Sequence, residues 1–130
     1  MEGLGPPGPM VVHLCVDSMA ARKSIVETVP DGALEGRLLL VDSRMGALYS
    51  RTVCVWDPDT KAAYLRDWYS DESAAQEPCT MRSTAFMAKI GAGIAVGTAA
   101  LWLGRKQVPV VRDLGLHADG WKPQVIGGVP

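Results

Sequence analysis

Twice in its first half the chain runs through a short, largely apolar stretch and stops at an aspartate followed by a serine. Val11-Val12-His13-Leu14-Cys15-Val16 leads into Asp17-Ser18, and Leu38-Leu39-Leu40-Val41 leads into Asp42-Ser43. Runs apolar on both faces are those of buried parallel strands. Between them lies a helical segment, Met19–Val29, with Ile25, Val26 and Val29 on one face. Ser18 offers an N-cap, and Pro30-Asp31-Gly32 marks the end. Strand, acidic turn, helix, strand is the opening of an α/β layer. At 130 residues and 13.9 kDa there is room for one small domain.

Beyond this unit the pattern changes. Tyr49–Trp56 is rich in β-branched and aromatic residues, Asp57-Pro58-Asp59-Thr60 signals a turn, and Lys61–Trp68 is expected to return as the second strand of an antiparallel hairpin. The polar stretch Tyr69–Pro78 reads as an exposed crossover. Thr80–Leu103 is the longest helical candidate, Gly/Ala-rich, with Phe86, Ile90, Ile94 and Leu101 on one face. Gly91, Gly93 and Gly97 keep its other faces slim. These glycines are expected at the closest contact with the sheet, with Gly93 and Gly97 the positions to test by substitution, because each internal glycine costs roughly 0.5–1 kcal/mol that close packing must offset. Arg105-Lys106 suits a helix C-terminus. Val108–Val111 is a possible last strand. The expected layout is a leader over 1–10, an α/β domain over 11–112, and a Gly/Pro-punctuated tail over 113–130.

Charge excludes some functions. Thirteen Lys+Arg against fourteen Asp+Glu leave net −1, with no basic footprint for nucleic acid or an acidic membrane. Ile90–Leu103 is uncharged between Lys89 and Arg105 but falls short of the ~20 apolar residues of a membrane span, so a buried core helix is expected and a membrane anchor is the lesser alternative. Cys15, Cys54 and Cys79 are odd in number and far apart, and no export signal stands at the start. Reduced thiols in the cytoplasm are expected, and no zinc site, since His13 and His117 join no cysteine at ligand spacing.

Four residues stand out chemically. Asp17 and Asp42 close the two strands, where α/β sheets place their ligand crevice; both are equally turn and cap residues. Arg22 lies one turn into the helix, where it could reach the same crevice or equally stand solvated beside Lys23. Cys79 precedes a helix start with Arg82 nearby, an arrangement that lowers a thiol pKa. Cys15 and Cys54 sit within apolar runs and are expected to be buried and inert.

Cys15-Val16-Asp17-Ser18-Met19-Ala20-Ala21-Arg22 resembles the strand-Asp-x-x-x-x-Arg segment of the ThiF/MoeB/HesA family, the adenylyltransferases related to ubiquitin-activating enzymes. Leu40-Val41-Asp42-Ser43-Arg44-Met45-Gly46 resembles that family's next strand and turn. Glu77-Pro78-Cys79-Thr80 and the helix to Leu103 resemble the acceptor-cysteine segment and the helix after it. The resemblance covers residues 11–104.

It implies a partial Rossmann-like layer and activation of the C-terminal carboxylate of a ubiquitin-like or sulfur-carrier protein by ATP and magnesium. Asp17 would match the acid near the phosphates and the metal, Asp42 a second nucleotide-side acid, Arg22 the basic residue of the following helix, and Cys79 the acceptor thiol. The family's Gly-x-Gly-Gly-x-Gly loop does not precede Val11, where only the Gly/Pro leader stands. The expectation is therefore the second half of such a domain, as a fragment, a split subunit or a degenerate relative, inactive alone and acting with an N-terminal partner subunit or as a homodimer. The alternatives are a non-catalytic interaction module and the small membrane-anchored protein.

Overall fold

The computed structural model describes residues 8–46, 48–73, 85–117, 120–121 and 124–126. It is a mixed α/β protein. β1 (Met10–Leu14) pairs in parallel with β2 (Leu38–Met45), joined by α1 (Met19–Thr28) and a single helical turn, α2 (Asp31–Leu34). β2 turns back into β3 (Tyr49–Val55), and β4 (Val111–His117) pairs antiparallel with β3. These four strands form a mixed sheet in the order β1-β2-β3-β4. Short β5 (Gly120–Trp121) and β6 (Gln124–Ile126) pair with β4 on its far side. The segment expected as a tail thus contributes to the sheet.

The period-two alternation of β2 divides the core. Leu38 and Leu40 pack with Val53, Val55, Leu14, Val26, Leu34 and Tyr64 on the face covered by α1, α2 and α3 (Pro58–Arg66). Leu39 and Val41 pack with Cys54 and Ala95 on the other face, beneath α4 (Ala85–Leu103). Strands buried on both sides need apolar residues at every position, which is why the Leu38–Val41 run shows no alternation.

Lys61–Trp68 is not a strand, and the antiparallel hairpin is formed by β2 and β3 instead. Asp57 accepts from Thr60 N at 2.7 Å, Thr60 Oγ1 accepts from Asp57 N at 3.1 Å, and Pro58 occupies the first helical turn. The residues that signal a turn are also those of a capping box, and here they start α3. β2 likewise runs past Asp42-Ser43 to Met45, with Ser43, Arg44 and Met45 paired to Thr52, Arg51 and Ser50 of β3.

α4 sets its small-residue side against the sheet. Met87, Gly91, Ala95, Thr98 and Ala99 are buried, whereas Phe86 and Leu101 are 46% and 42% exposed. The sheet below already supplies bulky Leu39 and Val41, so the helix presents small residues to it. A Cβ on Gly91 would stand 2.9 Å from Met45 Sδ and 3.2 Å from Ser50 Oγ; one on Gly93 or Gly97 would meet nothing within 4 Å. The close contact is at Gly91, not at Gly93 or Gly97. The helix ends with Arg105 at φ 57°, Arg105 N donating to Trp102 O and Lys106 N to Leu101 O, a Schellman closure. By length and composition its Phe86–Leu103 stretch could cross a membrane, with 28% of it buried against the protein.

Candidate functional site

The two Asp-Ser stops have different fates. At the first, the chain leaves β1 and Ser18 caps α1, its Oγ accepting from Ala21 N at 3.0 Å, while Asp17 stays exposed. At the second, the strand continues and its alternation turns Asp42 inward beneath α1 and α3, 1% exposed. A buried carboxylate must be paired. Arg22 Nη1 donates to Asp42 Oδ1, and Arg44 Nε and Tyr64 Oη donate to Oδ2 at 2.7 and 2.8 Å. Arg22 also donates to the Leu14, Val16 and Ser43 carbonyls, so its side chain ties α1 to the ends of both parallel strands. Burial, and then the neighbouring Asp42 charge, push the Tyr64 hydroxyl up to about 12.

A second cluster bridges β3 and β4. Arg51 clasps Asp113 with Nε and Nη2 at 2.7 and 2.8 Å, and Tyr49 Oη donates to the same carboxylate at 2.7 Å. Burial opposes ionisation of Asp113, but the hydrogen bonds from Arg51 and Tyr49 and the arginine charge outweigh it and hold the carboxyl below its ordinary range. Tyr49 rises to about 12, through burial and then the bond to Asp113.

At the carboxyl ends of β1 and β2, under the first half of α4, lies a crevice of about 480 Å³. It is lined by the polar residues Asp17, Arg22, His13, Cys15 and Ser43 and by an apolar wall of Val16, Val41, Met45 and the alanine side of α4. Ser43 Oγ is shielded and has no hydrogen-bond partner among the described residues, and the same holds for Ser50 and Thr52 on the same face. The structure thus brings Asp17 and Arg22 to one crevice. Asp42 lies behind it, with both oxygens occupied, as the anchor of Arg22.

Cys79 lies outside the described residues. Cys54 is buried as expected, and burial pushes its thiol up to about 12. Cys15 is exposed, contrary to expectation, because α4 sits over β2 and β3 and leaves the end of β1 open. Sequence reasoning missed Arg44, Tyr64, His13 and Cys15. For His13 and Cys15 the signal was present, since residues two apart on a strand share a face.

A nucleotide would need donors for its phosphates. In the first turn of α1 two of these donors are already taken: Met19 N donates to Asp71 Oδ1 at 2.7 Å and Ala21 N to Ser18 Oγ. No group of three or more His, Cys, Asp or Glu among the described residues is placed to hold a metal, and Asp17 stands alone as a carboxylate on the crevice. The described residues therefore do not fit ATP and magnesium by themselves. Compared with known protein families, curated proteins and solved structures, the chain matches none.

Proposed function

We propose that the crevice binds the C-terminal carboxylate of a ubiquitin-like or sulfur-carrier protein, and that the chain is the second half of a ThiF/MoeB/HesA-type adenylyltransferase domain. The observation that carries this reading is the convergence of Asp17 and Arg22, the two ends of one motif, on a crevice at the carboxyl ends of a parallel strand pair. Electrostatics support it. Two guanidinium groups, Arg22 and Arg44, face the single buried carboxylate of Asp42, and their surplus positive charge offsets Asp17 on the crevice, so an incoming carboxylate meets no net repulsion. The apolar wall suits a small-residue tail.

On this reading a phosphate loop is needed in addition to these residues, and the isolated chain is expected to catalyse no ATP–pyrophosphate exchange. Cys79 as acceptor thiol belongs to the same reading. The test is titration of a synthetic peptide copying the last residues of a ubiquitin-like protein, as free acid and as C-terminal amide, followed by NMR. The acid is expected to shift the amides of Cys15–Arg22, and the amide to do so far less. Equal shifts, or none, overturn the reading.

One observation favours the non-catalytic interaction module. Arg22, 8% exposed, spends its donors on Asp42 and three carbonyls, the work of a tie between elements. Carboxylate binding without exchange in any assembly is the outcome that this second reading expects.

A further inference from the structure

β1 has the composition of an interior strand and the position of an edge strand. Met10–Leu14 carries no Lys, Arg, Asp or Glu, and Met10 is 55% exposed. Natural edges are usually blunted by charge, bulges or a covering loop. The opposite side of the sheet is extended by β5 and β6, whereas among the described residues no strand pairs with the outer side of β1.

The register identifies which groups stand open. Met10 N donates to Arg37 O at 2.7 Å, and the parallel pairing of Met10 with Leu38 continues without a slip to Leu14 with Asp42. In such a ladder alternate residues face the neighbour, so Met10, Val12 and Leu14 turn their backbone groups toward β2. Val11 and His13 turn theirs outward.

We propose that β1 pairs with β1 of a second copy of this chain, antiparallel about a two-fold axis at Val12. In that register Val11 of each copy opposes His13 of the other. The two open residues on each side exchange both backbone hydrogen bonds, four in all, which is the close pair of an antiparallel ladder. The edge is self-complementary because Val12 lies midway between its two open residues, and no charge along Met10–Leu14 opposes its own copy. The exposed face of α4 is a poorer self-contact: antiparallel pairing there would set Lys89 of one copy against Arg105 of the other, like against like. Pairing at β1 would also join the two crevices side by side, since His13 and Cys15 line each of them. This proposal stands apart from the carboxylate reading.

Proline separates the edge from the fold. At Val11 or His13 it removes an outward N–H and leaves the β1–β2 bonds intact, the position where sheets tolerate it. Sedimentation equilibrium of the full chain is expected to show a dimer, and Val11→Pro and His13→Pro each to weaken it at least roughly tenfold. Leu101→Asp, on the α4 face, is expected to leave it unchanged. A chain that stays monomeric to millimolar concentration overturns the proposal, as does a dimer that Leu101→Asp abolishes and the prolines do not. Should either proline variant fail to fold, the wild-type protein decides: Val11 and His13 amides must gain hydrogen-exchange protection as concentration rises, and unchanged protection overturns the pairing.

Discussion

Asp42 gives up its water to sit between two helices and a sheet, and three donors replace it. Its removal is costlier than the worth of any one bond, because Arg22 and Arg44 would then face each other with no anion between them. Asp42→Asn is expected to destabilise the protein by about 3–5 kcal/mol in chemical denaturation. Tyr64→Phe removes one donor while Arg44 still serves the same oxygen, and about 1–2 kcal/mol is expected. The thiols test exposure directly. Cys15 is exposed and Cys54 buried with its thiolate disfavoured, so native iodoacetamide labelling, read by peptide mass, should modify Cys15 fast and Cys54 only on unfolding. Comparable rates would contradict the placement of Cys54 beneath α4.

Between elements, the glycines of α4 separate packing from propensity. Gly91→Leu drives a side chain into Met45 and Ser50 and should cost about 1–3 kcal/mol. Gly93→Ala and Gly97→Ala fill open space within a helix and should raise stability by about 0.5–1 kcal/mol each, read as a higher melting temperature. Here the limits of sequence reading have a physical cause. The strand-helix-strand start was legible because β1, α1 and β2 are dictated locally, by apolar runs and a capping serine. The buried face of α4 was not, because an apolar helix with no polar side does not declare which face meets the sheet. Asp57-Pro58-x-Thr60 reads as a turn for a related reason: turns and helix starts use the same side-chain-to-backbone bonds, and only the residues after Thr60 distinguish them. At the candidate site, Asp17 and Arg22 were legible from their spacing. Tyr64 comes to Asp42 from another helix, and no local spacing encodes that meeting. Arg44, by contrast, stands two residues along β2 and shares a face with Asp42 once the strand is followed past Ser43.

The whole molecule should lose stability on both sides of neutrality, through different groups. Cys54, Tyr49 and Tyr64 hold their protons more tightly when folded, each with a value near 12. Their contribution is fully present below the unfolded values, about 8.5 for the thiol and about 10 for the tyrosines, and is lost as pH rises toward 12. Asp113 behaves in the opposite sense. Its carboxyl is held low by Arg51 and Tyr49, so its contribution is present above its unfolded value of about 4 and fades as pH falls through the folded one. Urea midpoints across the pH range should therefore fall at both ends. Tyr49→Phe should flatten the alkaline limb and Asp113→Asn the acid limb; limbs unchanged in these variants would remove the assignment.

The order of pairing along the sheet has a kinetic meaning. β1, β2 and β3 meet partners that are near in sequence, and Arg22 ties the first two together through α1. β4 reaches β3 only after α3, the crossover and α4 have intervened, yet Arg51 and Asp113 make their clasp across that seam. Closing so long a loop carries its entropic cost before any contact compensates for it. Arrival of β4 is thus the expected slow step of folding, and a nascent chain whose ribosome has not yet released β4 leaves the β4-facing edge of β3 open, with Arg51 still lacking Asp113.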